Sequence, residues 1–141
     1  MVIGVPFDEK ERQFKCIVTI CNPNNGRTIE CTALFDTGAR SSALIASQID
    51  ELQLEHLYTG THITMPNTGT YITKHYNATI TIADGITFEN TTINSLPTIY
   101  KDLECLIGMD IISQLNVSIA QHEDGLFMFI EYPPISQISF L

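Results

Sequence analysis

Two strand-like runs separated by a tight turn constrain this chain most. Gln13–Cys21 (QFKCIVTIC) and Arg27–Phe35 (RTIECTALF) flank Asn22-Pro23-Asn24-Asn25-Gly26, where Asn-Gly supplies positive φ. The pattern predicts a β-hairpin whose second strand runs straight into Asp36. That acid follows the apolar Ala33-Leu34-Phe35 and precedes Thr37-Gly38-Ala39. An unpaired buried carboxylate is costly, so the hairpin must carry Asp36 out of the core and stop it at a turn. Elsewhere, twenty Ile and sixteen Thr make up about a quarter of the 141 residues, and β-branched side chains favour strands. The expectation is therefore an all-β chain.

Further hairpin signals follow. Ser42–Ala46 reads as a short strand. Ser47-Gln48-Ile49-Asp50 has the pattern of a helix start, which predicts a turn or two of helix over Ser47–Leu54. His62–Thr64 and Thr70–Lys74 flank Met65-Pro66-Asn67-Thr68-Gly69, a turn-rich tip. Tyr76–Ile82 and Ile86–Ile93 alternate around Ala83-Asp84-Gly85. Leu103–Ile107 is a short strand ending at Gly108, and the apolar spacing after it predicts one short helix near 109–115. Asn116–Ala120 and Leu126–Glu131 close the chain as a strand pair, before Pro133-Pro134 and the apolar tail Ile135–Leu141. Hairpins in this number must roll up to manage their edges, so a small closed-barrel-like fold is expected as a single domain over 1–141.

Composition excludes several classes. No apolar run approaches about 18 residues, so no spanning helix and no membrane partner is expected. The start lacks the features of a secretory leader, which places the chain in the cytoplasm as an expectation. The sequons at Asn77, Asn90 and Asn116 carry no meaning there. A net charge of −9 without a basic stripe argues against nucleic acid. Cys16, Cys21, Cys31 and Cys105 match no zinc spacing and are expected as free, largely buried thiols. The four histidines share no ligand spacing. Neither metal nor cofactor is expected.

In order, the chain therefore presents Leu34-Phe35-Asp36-Thr37-Gly38-Ala39, a hairpin with a turn-rich tip, and Leu106-Ile107-Gly108-Met109-Asp110-Ile111-Ile112. Over roughly residues 13–131 this arrangement resembles the retroviral-type, or retropepsin-like, aspartic proteases. Hydrolysis by this route needs a base to activate water and an acid to protonate the leaving group. Two carboxylates about 3 Å apart share one proton and supply both. The resemblance makes Asp36, Thr37 and Gly38 the catalytic loop, with Thr37 bonding across to a partner loop. It makes Ala39, Ile107 and the flap residues Met65, Pro66, Asn67, Thr68 and Gly69 the substrate-binding set. Asp-Thr-Gly occurs once in this chain, so the second acid must come from another copy. The resemblance thus implies an aspartic endopeptidase active as a homodimer on peptide or protein substrates. The arm 1–12 and the tail 133–141 are the candidate dimer strands.

The chain also departs from that pattern. Arg40 and Ser41 stand where the viral enzymes carry acids, and Met109 stands where they carry Arg. The expected replacement for the usual ion pair is Arg40 with Asp110. Ala39, where pepsin-like enzymes carry Ser, implies activity at mildly rather than strongly acid pH. The alternative function is a catalytically silent, protease-like module for dimerisation or peptide binding, since fold does not fix function. The intact Asp36-Thr37-Gly38 favours the enzyme.

Overall fold

The computed structural model describes residues 2–65, 69–96 and 102–132, with side chains for 2–60, 72–96 and 102–132. The chain forms strands β1 (Val2–Asp8), β2 (Gln13–Cys21), β3 (Thr28–Phe35) and β4 (Ala43–Ile45), then helix α1 (Ala46–Leu52). Strands β5 (Glu55–Met65), β6 (Gly69–Ala83), β7 (Ile86–Leu96) and β8 (Cys105–Ile107) follow, then helix α2 (Met109–Ile112) and strands β9 (Asn116–His122) and β10 (Gly125–Glu131). The all-β expectation holds, with two short helices among the described residues.

The β2–β3 hairpin forms as its turn chemistry demands. Gly26 adopts φ +75°, and its N–H bonds Asn22 O at 2.9 Å. Strict alternation puts Val18 and Ile20 on the same face as Cys31, Ala33 and Phe35, all of them buried. The turn has a second task. Asn22 is 2 % exposed, and its Nδ2 donates to the carbonyls of Leu52 and Gln53 at 2.9 and 2.8 Å. These are orphan acceptors at the end of α1, so the turn fastens the helix to the sheet. Helix α1 begins one residue before the expected start, after Ile45, and no side chain caps it.

The strands run in the order β5-β6-β7-β4-β8-β3-β2-β1-β10-β9. A further pairing of β6 with β2 (Thr19↔Thr81, Ile20↔Ile80, Cys21↔Thr79) closes six of them into a ring. The result is a ring with two extensions, and not the strict barrel that full closure would give. One extension is β5, carried by β6. The other is the set β1-β10-β9, carried by the start of β2. Arm residues Val2–Pro6 pair antiparallel with Phe127–Glu131 of their own chain, using one edge of the arm internally. The tail 133–141 lies outside the described residues.

Thr70–Lys74 and Tyr76–Ile82, which read as separate strands, are one strand of 15 residues. Nothing after Gly69 interrupts it, and bulges at Ala78/Ile80 and Thr81/Ala83 let it bend from the hairpin into the ring. The core fills the ring with Val18, Ile20, Leu44, Ile80, Ile86, Ile93, Ile107 and Ile111, none more than 1 % exposed. All four cysteines are free thiols, Cys31 and Cys105 buried and Cys16 and Cys21 half-buried. No helix of the described residues is long and apolar enough to cross a membrane.

Ile20 sits at the ring's closing seam with no exposed surface. Ile20→Ala is expected to cost about 2–5 kcal/mol through lost burial and a residual cavity. Urea unfolding checks this: a lower midpoint at unchanged slope is the expected result.

Candidate active site

The site is built where β3 and β8 end side by side. They pair in parallel, with Leu34 beside Leu106 and Phe35 beside Ile107, so their following loops emerge together. Asp36 is the first residue past β3. Its N–H bonds Ile107 O at 2.9 Å, which continues the ladder by one step. Its Oδ1 accepts the N–H of Gly38 at 2.8 Å, and its carbonyl accepts the N–H of Ala39 at 3.2 Å. These bonds close a tight Asx-type turn. Asp36 is half-buried, and Thr37 and Gly38 are exposed. The carboxylate is fixed from the protein side and reaches the surface beside the loop.

A second loop locks the first. Met109 N–H bonds Ala39 O at 2.8 Å, and Asp110 N–H bonds Arg40 O at 3.0 Å. Gly108 allows this approach. A Cβ there would lie 2.8 Å from Ser41 C and 3.0 Å from Ala39 O, main-chain atoms that cannot swing away. Glycine is needed for space here, because its φ of −100° is open to any residue.

The hub is Ser42, which has no exposed surface. Its N–H and hydroxyl donate to the two oxygens of Asp110 at 2.9 and 2.8 Å. The same hydroxyl oxygen accepts the N–H of Gly108 at 3.0 Å. The hydroxyl thus both donates and accepts, and bonds to an ionised carboxylate are stronger than neutral ones. The Arg40–Asp110 ion pair expected from the sequence is absent among the described residues, where the one ion pair joins His122 to Asp124. Asp110 spends its carboxylate on Ser42, so a buried hydroxyl takes the place foreseen for an exposed guanidinium. Nothing in the sequence distinguished Ser42 from Ser41 beside it.

Other expected site residues divide. Ala39 is half-buried within the locked loop. Ile107 has no exposed surface, and what it offers Asp36 is its carbonyl. Met65 and Gly69 face each other at the ends of β5 and β6, while Pro66, Asn67 and Thr68 lie outside the described residues. The helix expected over 109–115 is shorter, with α2 ending at Ile112 and the chain turning on to Leu115.

Asp36 is thus a half-exposed acid on an Asx turn, and its loop is braced by the Gly108–Asp110 turn that follows the parallel strand β8. Residues 5–129 match the family model for the retroviral aspartyl protease, so the chain belongs to that family. A retropepsin-like aspartic protease from Rickettsia conorii shares the fold, with a TM-score of 0.61 at 19 % identity over 92 % of this chain and 90 % of that one. The EIAV protease, solved with the inhibitor HBY-793, gives a TM-score of 0.50 at 23 % identity over 75 % of this chain and 90 % of that one. No curated protein matches the chain significantly.

The geometry separates Asp110 from Arg40. Asp110→Ala removes both acceptors of Ser42 and should cost about 1–3 kcal/mol. Arg40→Ala, at an exposed side chain without an ion-pair partner among the described residues, should stay within about 0.5 kcal/mol of wild type. Paired thermal melts of the two variants decide between the Ser42 hub and the arginine.

Proposed function

We propose that this chain is an aspartic endopeptidase that works as a homodimer, with Asp36 of each copy forming one shared carboxylate pair. The observation that carries this reading is the position of Asp36. It is the single acid of the chain's one Asp-Thr-Gly, held at the end of β3 by Ile107 O and Gly38 N–H, with its loop locked to a second turn. A structural turn needs none of that bracing around a half-exposed carboxylate. An acid that must meet its symmetry mate at a fixed distance does.

In this reading one carboxylate is ionised and takes a proton from the attacking water, while its protonated mate donates to the scissile carbonyl. The pair titrates as a unit. Thr37, exposed beside Asp36, donates across the axis to the partner loop. The β5–β6 hairpin is the flap, and an extended peptide lies beneath it as an added strand. Met65, Pro66, Asn67, Thr68 and Gly69 at its tip, with Ala39 below, contact the substrate. The arm 1–12 and the tail 133–141 are the candidate dimer strands, with Val2–Pro6 of the arm also paired to β10 of its own chain.

Sedimentation equilibrium across a concentration series, with cleavage of a peptide library at about pH 5, tests this. Activity should follow the dimer fraction. Asp36→Asn should lower turnover by at least about a thousandfold while leaving the fold and the dimer in place. Turnover that survives Asp36→Asn sinks the mechanism, and a chain that stays monomeric at every concentration sinks the shared site.

A further inference from the structure

A second concentration of chemistry sits where the β5–β6 hairpin joins the ring. Two aromatic pairs face each other across these strands. His56 lies opposite Tyr76, with ring centroids 5.4 Å apart and planes at 62°. Tyr58 lies opposite His75, stacked at 4.2 Å with planes at 15°. The register shifts between the two pairs and again between Thr59 and His62, so two irregularities fall within a few residues. Gly60 lies within the second of them. A Cβ at Gly60 would lie 2.1 Å from His75 Nε2 and 2.6 Å from Thr73 Oγ1, so the imidazole and the hydroxyl occupy the place of its missing side chain. Gly60 is not among the residues with positive φ, so glycine is required here for space alone. Thr73 Oγ1 and His75 Nε2 are 3.3 Å apart, and Thr73 is 2 % exposed. His75 is thus seated on the backbone of one strand, stacked on a ring from that strand, and bonded to a buried hydroxyl on its own.

We propose that His75, stacked on Tyr58 and seated on Gly60, is a positioning residue that clamps the base of the β5–β6 hairpin, and that its protonation releases the clamp. The ionisable groups on the facing stretches are Glu55, His56 and Tyr58 of β5 and Lys74 and Tyr76 of β6. β7 places Asn94 opposite His75 and has no ionisable residue over Thr92–Leu96. Glu55, the one carboxylate in those stretches, accepts from Asn24 Nδ2 at 3.1 Å. Stacking on Tyr58 favours an imidazolium only modestly. Desolvation opposes it, and the neighbouring His56 adds to that, so His75 is held below its ordinary 6.5. The clamped hairpin therefore binds fewer protons than the open one. Its stabilisation is whole above pH 6.5 and is lost as the pH falls through the lowered value of His75. This window adjoins the mildly acid range proposed for the Asp36 pair. The hairpin is thus freed under the conditions in which the carboxylates act, a link that rests on the protease reading.

Amide hydrogen exchange on the full chain tests the clamp without substrate. Rates are measured at about pH 7.5 and about pH 5 and corrected for intrinsic chemistry. In the wild type, amides of 55–60 and 72–78 should lose protection on acidification relative to those of β2 and β3. His75→Phe keeps a ring on Tyr58 but takes up no proton, and should show the same protection at both pH values. His75→Gln should be equally flat by different chemistry. Gly60→Ala displaces the imidazole and should lower protection at both. An equal acid-dependent loss in both His75 variants overturns the proposal, as does an unchanged wild type. With a peptide substrate, KM should vary with pH in the wild type and not in His75→Phe, while kcat follows Asp36 in both. An inactive protein that still shows the His75-dependent loss refutes the protease reading and leaves the clamp standing.

Discussion

The parallel pairing of β3 with β8 is the constraint on which the site depends. Because Phe35 and Ile107 end level, the two following loops are forced into main-chain contact, and the bonds of Asp36, Met109 and Asp110 across them follow from that. Parallel neighbours need a long crossover, and here the crossover is most of the ring itself. The site is a by-product of ring closure, and the ring is closed by β2 pairing with β6 far from it. A defect at that seam would reach Asp36 through the core and not through its own loop.

Ser42 shows how a small group can replace a large ion pair. A guanidinium bridging two loops would order a long side chain, and its ion pair would be screened by water and salt near the surface. A buried hydroxyl loses little rotamer freedom and binds a carboxylate and a backbone N–H at once. The same logic appears at Asn22, whose buried amide holds the end of α1 while its own turn stays intact. In both places a short polar side chain satisfies backbone groups that the fold has left without partners.

Much of this was legible in the sequence where the deciding forces are local. The hairpin at 13–35 could be read because Asn25-Gly26 sets its turn and the flanking alternation sets its faces. The loop at 36–38 could be read because few chains bring Asp-Thr-Gly out of an apolar run. The rest depended on partners distant in sequence. His75 looked like a break between strands, yet β5 and β7 pair on either side and carry the strand through. The pairing of Val2–Pro6 with β10 likewise joins segments at opposite ends of the sequence. Charge complementarity pointed from Asp110 to Arg40, but distance favoured Ser42. Gly60 was unremarkable in the sequence and Gly108 was read only as part of the Leu106-Ile107-Gly108 motif, because what excludes a side chain at each comes from another strand or loop.

β6 belongs to two bodies at once, and this makes it a lever. Its inner end is built into the ring at Thr79–Thr81, while its outer end at Gly69 carries the hairpin. At the usual rise per residue, the stretch from Ile80 to Gly69 spans about 35 Å. A rotation of about 5° at the fulcrum would move the far end by about 3 Å, comparable to a hydrogen-bond length. Side-chain volume at Ile80 is therefore a fine adjustment of reach, and drift at this buried position retunes a distant surface without touching it.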